Sequence, residues 1–125
     1  MDDAVKRLVQ RHCATLKDEA RSVGDALDSA ALGSWSDHAE AAFRAAHTLK
    51  GSSGTLGFDE ISAAALRLES ALRPLRERAP APDEAARVSA ARGTLMELVE
   101  RITPEQSRLM GGARSLASPA AEWGG

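Results

Sequence analysis

Four stretches of this chain carry aliphatic residues at helical spacing, and the main breakers fall between them, which restricts the fold to a small set of helix packings. The first stretch spans residues 3–31 and places Val5, Leu8, Val9, His12, Leu16, Val23, Leu27 and Ala30 near one face, with Gly24 weakening it slightly and no proline inside. Leu32-Gly33-Ser34 breaks it, and Ser34 with Asp37 three residues on predicts a capping box in which Asp replaces Glu. A second helix should run from there to about Leu56, where Gly57 suits a left-handed stop with Phe58 as its apolar contact. Asp59 is the expected N-cap of a third helix through about Arg76, on the line Ile61, Ala65, Leu68, Leu72 and Leu75, with Pro74 able to kink it or end it early. A linker follows at residues 78–82. Asp83 is then expected to cap a fourth helix of Val88, Ala91, Leu95, Leu98, Val99 and Ile102, closed by Thr103-Pro104.

Four amphipathic helices with short connections predict an all-α domain, an antiparallel up-and-down four-helix bundle over residues 1–103. Residues 104–125 are expected to be a short helix or flexible tail, since Thr103–Gln106 is cap-like but the end is rich in Ala, Ser, Gly and Pro. Poor order is expected from about residue 111, with Trp123 left without a strong packing signal. At 125 residues there is length for one core only, and 3% aromatic content with no tyrosine points to aliphatic helix packing rather than sheet.

Charge narrows the class further. The net charge of −2 has its signs interspersed, so no nucleic-acid or anionic-membrane partner is expected. No apolar run approaches a membrane span of about 20 residues, and Met1-Asp2-Asp3 does not open a signal peptide, which predicts a cytoplasmic location. Cys13 is the only cysteine, so it has no partner for an intrachain disulfide and reads as a small helix-face hydrophobe. His12 and His38 read as surface or boundary residues. No two histidines stand at i, i+4 with a carboxylate nearby, so no metal site is expected, and the glycines lack the order of a nucleotide-binding P-loop.

The chemistry concentrates in residues 43–58. At 100° per residue, Lys50, Gly51 and Gly54 fall within about 60° of His47, while Ala42, Ala46, Leu49, Ser53 and Leu56 share another arc that should face the core. A helical glycine costs roughly 1 kcal/mol relative to alanine, so two beside an exposed imidazole suggest a face kept bare for a large partner. His47 lies ten residues before Gly57 and Glu69 twelve after it, or about 15 and 18 Å along neighbouring helices at 1.5 Å per residue, so the two should lie abreast. Ser62, Ala65 and Leu66 should line the same seam. Glu69 could instead pair with Arg73 one turn on in its own helix.

A carboxylate behind an exposed imidazole, with a lysine one turn away, suits phosphoryl transfer to histidine. Glu69 accepting from Nδ1–H would fix the tautomer that leaves the Nε2 lone pair free for in-line attack. Lys50 could neutralise charge on the transferring group. Phe43 lies between the core arc and His47, either at the core edge or as an apolar partner contact.

The run His47-Thr-Leu-Lys50-Gly51-Ser-Ser-Gly54-Thr-Leu-Gly57-Phe58 closely resembles the signature of histidine phosphotransfer (HPt) domains. With Phe43-Arg-Ala-Ala ahead of it, it is most similar to the N-terminal phosphotransfer domain of chemotaxis histidine kinases. The resemblance is strong over residues 42–72. It implies that His47 is phosphorylated, that Lys50 assists the phosphoryl group, and that Glu69 is the carboxylate bonded to the histidine. Phe43, Gly51, Gly54, Ala65 and Leu66 are the expected docking residues. Leu66 stands where some chemotaxis-type domains have a second histidine, so no proton relay is expected beyond Glu69.

The implied function is a phosphoryl carrier, without kinase activity of its own, that exchanges a phosphoryl group between His47 and a receiver aspartate of a response regulator. The kinase upstream would be a hybrid or a chemotaxis-type histidine kinase. In the chemotaxis-type alternative, a separate ATP-binding kinase domain loads the histidine. No cofactor is expected on this chain, the Mg²⁺ coming from the receiver or kinase, and a monomer is expected. A non-catalytic adaptor bundle using the same face only for binding is the alternative from another class.

Overall fold

The computed structural model describes residues 3–110, all of them in helices, turns or irregular segments. Four long helices dominate: α1 (Asp3–Leu32), α2 (Trp35–Thr55), α3 (Asp59–Leu72) and α4 (Pro82–Glu100), with 3₁₀ turns at Arg73–Leu75 and Pro104–Gln106. Each helix packs on the next, and α1 also meets α4, so the apolar faces close around one core. Leu16, Leu49, Leu68, Leu72, Leu75 and Leu95 are fully buried in it, which matches the aliphatic reading of the composition. The expectations for residues 111–125, Trp123 included, lie outside the described residues.

The boundaries follow the breakers, but three caps differ from expectation. Ser34 is the boundary residue of α2, yet its hydroxyl donates to the Asp37 carboxylate instead of accepting from the helix backbone. Aspartate is one methylene shorter than the glutamate of a capping box, and here it accepts the hydroxyl's hydrogen bond rather than reaching back to the Ser34 N–H. Asp59 is not a cap either: Phe58 is the boundary residue, Asp59 is the first residue of α3, and its carboxylate binds the Arg108 guanidinium at 3.1 Å. In α4, Pro82 takes the first helical position, where its fixed φ and missing N–H cost nothing. Ala81 therefore replaces Asp83 as the boundary residue, and its N–H donates to Glu84 at 2.9 Å. Arg78 binds the same carboxylate and, together with that N–H, holds Glu84 down at a pKa of about 2.

Pro74 ends α3 early. The regular helix stops at Leu72 and tightens into the 3₁₀ turn Arg73–Leu75, which still buries Leu75. The Leu75 carbonyl accepts a 2.6 Å bond from the indole N–H of Trp35, so the start of α2 is tied to the end of α3. Leu8, expected on the apolar line of α1, is instead 40% exposed, because the groove it borders is formed on α2 by Gly51, Ser52 and Thr55, which are too small to cover it.

Gly57 adopts φ +83° and forms a Schellman stop: its N–H bonds Gly54 O at 3.1 Å and the Phe58 N–H bonds Ser53 O at 2.8 Å. Phe58 is buried beside it, as the apolar contact of such a stop requires. The chain after α4 returns to this turn. Arg108 N–H donates to Gly57 O at 2.7 Å, the Ser107 hydroxyl donates to Leu56 O at 2.5 Å, and Met110 is buried. Residues 104–110 thus form a strap over the α2–α3 turn and satisfy carbonyls that the end of α2 leaves open.

Candidate functional site

Contacts between α2 and α3 set the register of the site. Glu40 meets Arg76, His47 meets Glu69, and the Lys50 carbonyl accepts from the Ser62 hydroxyl at 3.0 Å, so rising numbers on α2 face falling numbers beyond the Gly57 turn. His47 is 61% exposed, while the Glu69 side chain behind it is 2% exposed. Nδ1 of His47 lies 2.8 Å from Oε2 of Glu69. Lys50 places Nζ 3.0 Å from Oε1, and Arg73 reaches Oε2 at 3.4 Å. The two pairings considered for Glu69, across the seam and along its own helix, therefore coexist.

These neighbours decide the state of the carboxyl group. Burial alone pushes Glu69 up, but the hydrogen bond from His47 and the ion pair with Lys50 hold it below the ordinary value of 4.5. An ionised carboxylate only accepts, so Nδ1 must carry the proton and donate, and in the neutral imidazole that leaves the Nε2 lone pair uncommitted. Lys50 is drawn toward Glu69 in this state.

A group whose folded pKa is depressed contributes stability that is present above its unfolded value and lost as pH falls through the folded value. Glu69→Gln should therefore be less stable than the native chain at pH 7 in urea unfolding, and the gap should close as pH is lowered below 4.5 through the depressed folded value. A gap that persists unchanged in acid would assign the loss to packing rather than charge. The same variant should be phosphorylated more slowly without losing phosphorylation, because the imidazole still reaches the productive tautomer part of the time.

The glycines divide in their work. A Cβ on Gly51 would meet nothing within 4 Å, so this position is open to solvent and to a partner. A Cβ on Gly54 would lie 3.2 Å from the Ser62 hydroxyl, so Gly54 also lets α3 approach closely. Leu66, 45% exposed, lies open on α3.

Two of the expected docking residues are buried. Ala65 is fully buried in the core and cannot touch a partner. Phe43 packs at the edge of the core and is 8% exposed, with two guanidiniums over its ring, Arg76 at 4.3 Å and Arg73 at 5.3 Å from the centroid. It sits at the core edge and serves as a platform for cations. Sequence reasoning missed Arg76 and Trp35; the pairing of Glu40 with Arg76 lies on the same register that relates His47 to Glu69 and was open to that argument. His12 and His38 are half-buried, and His12 lines the groove between α1 and α2 that Gly51, Ser52 and Thr55 border. Among the described residues no group of three or more His, Cys, Asp or Glu side chains is arranged to hold a metal ion, and no helix is long and apolar enough to cross a membrane.

The family model described as Hpt domain matches residues 7–103. No curated protein and no solved structure matches the chain.

Proposed function

The chain belongs to the Hpt domain family, a family of histidine phosphotransfer in phosphorelay signalling, and from that premise we propose that His47 is the residue that carries the phosphoryl group. The observation that supports this most is the exposed imidazole whose Nδ1 is bonded to a buried, ionised Glu69. In the proposed reaction Nε2 attacks phosphorus in line, the N–P bond forms as the P–O bond to a receiver aspartate breaks, and the aspartate leaves as a carboxylate. Transfer onward is the reverse. Glu69 fixes the attacking tautomer, and Lys50, one turn away, can move from Glu69 to the phosphoryl oxygens. The receiver or kinase supplies the Mg²⁺ chemistry, and this chain supplies nucleophile, orientation and access.

We read the partners as a response-regulator receiver domain and a histidine kinase, either hybrid or chemotaxis-type. The Phe43-to-Phe58 run supports the chemotaxis-type version, in which a separate kinase domain loads His47 from ATP. We read the phosphotransfer bundle as residues 1–103 with helices that alternate in direction, working as a cytoplasmic monomer, and this reading is supported by the packing of each helix on the next.

The test is to incubate the native protein with a receiver domain loaded by acetyl phosphate and Mg²⁺, and separately with phosphoramidate. Acid-labile, base-stable phosphate on the chain is expected from both. No label from either donor would overturn the reading. Gly51→Gln should remain folded, since glycine is the poorer helix former, and should keep its labelling by phosphoramidate. Transfer from the receiver should slow by roughly tenfold or more as the side chain holds the partner off its reactive distance. Equal receiver rates would show that the open face is not used.

A further inference from the structure

The side chains on the α2–α3 seam ahead of His47 form one connected network. Arg44 pairs with Glu40 at 2.7 Å, and Arg76 grips the same carboxylate through two bonds of 2.7 and 3.0 Å. Arg73 shares the Phe43 ring with Arg76 and reaches Glu69, where Lys50 closes the network. Four cations thus meet two carboxylates, an excess of two positive charges in a chain whose net charge is −2. Arg44 and Arg73 remain more than half exposed, and Glu77, whose charge is felt at Arg76, lies at the far end. The charges that look interspersed along the chain are therefore sorted by the fold into a local positive rim beside the reactive imidazole.

We propose that this arginine rim steers an acidic protein surface onto His47, the surface being the phosphoryl-bearing face of the receiver. The inference rests on the phosphotransfer reading. The chemistry of the rim carries it: Arg73 and Arg76, held over the Phe43 ring, lose little freedom when a carboxylate-rich surface arrives, and their planar forks suit it. A field of one sign beside a reacting group raises encounter rates, by 10 to about 10³ for a whole surface, and salt screens it. The open side at Gly51 then admits the partner that the rim has attracted.

The sign of the charge gives the test. The second-order constant for transfer from a receiver domain loaded by acetyl phosphate and Mg²⁺ is measured at low and high salt. Arg44→Glu and Arg76→Glu should lower it about 3- to 10-fold at low salt and converge on the native value at high salt. Glu40→Gln, which removes the opposing charge, should raise it about twofold. Disturbed packing would slow all three, so a slower Glu40→Gln, or a native rate indifferent to salt, would overturn the proposal. Arg44 is exposed enough that its reversal should leave the helix folded, which keeps the test decisive if Arg76→Glu unfolds. Binding to phosphatidylserine vesicles that Arg44→Glu abolishes, with transfer unchanged, would assign the rim to a lipid surface and equally overturn it. Phosphoramidate labelling separates the two levels: an unlabelled native chain means the phosphotransfer reading fails, whereas normal labelling with charge-independent transfer means only the steering fails.

Discussion

His47→Gln is expected to leave the protein folded and to abolish its acid-labile phosphate. Glutamine approximates the reach of the imidazole, but its amide nitrogen gives its lone pair to the carbonyl and cannot attack phosphorus. The position is 61% exposed, so the change removes little packing. Glu69 keeps Lys50 and Arg73 as partners, so no unpaired buried charge is left behind. The loss in unfolding free energy should therefore be no more than about 1.5–3 kcal/mol, the worth of one hydrogen bond to a charged group, which leaves the protein folded. Circular dichroism melts and phosphate labelling, done side by side, give the answer. Undiminished label in the folded variant would move the reactive residue elsewhere and remove the assignment of His47.

The largest stability effect is expected at Gly57→Ala, a change of one methyl group. At φ +83° an alanine pays about 1–2 kcal/mol for the left-handed conformation. Its Cβ would also sit 2.8 Å from Arg108 N, 2.9 Å from the Ser107 hydroxyl and 3.0 Å from Leu109 N, two of which are backbone atoms that cannot rotate away. Relief requires lifting the strap, which gives up the Arg108–Gly57 and Ser107–Leu56 bonds at about 0.5–1.5 kcal/mol each. A total loss of about 2–5 kcal/mol follows, a large part of the roughly 5–15 kcal/mol that holds a domain of this kind together. Urea unfolding of the 125-residue chain measures it. A loss under about 1 kcal/mol would mean that the strap does not press on Gly57.

The same turn shows what could be read from the chain and what could not. Gly57 fixed a hairpin, and counting away from it brought His47 and Glu69 together, because two packed helices share one rise per residue. That argument needs only a known turn and a common pitch. The strap escaped it because its bonds run from Arg108 N–H and the Ser107 hydroxyl to helix-end carbonyls, and such bonds leave no periodic trace in sequence. Phe43 was ambiguous for a related reason. Its angle on α2 places it at the edge of the core, and only the 3₁₀ turn forced by Pro74 swings Arg73 and Arg76 over its ring. The cap expected at Asp59 missed by one residue and the cap expected at Asp83 by two, because Gly57 and Pro82 determine where helical dihedrals begin more firmly than a side-chain acceptor does.

The bond from Trp35 to the Leu75 carbonyl has a practical use. Its indole is half-buried where α2 begins, against the 3₁₀ turn that also carries Arg73. The chain has no tyrosine and one other tryptophan, Trp123. Replacing Trp123 by phenylalanine would leave Trp35 as the single source of tryptophan emission, a native optical probe set beside the arginines without any attached dye.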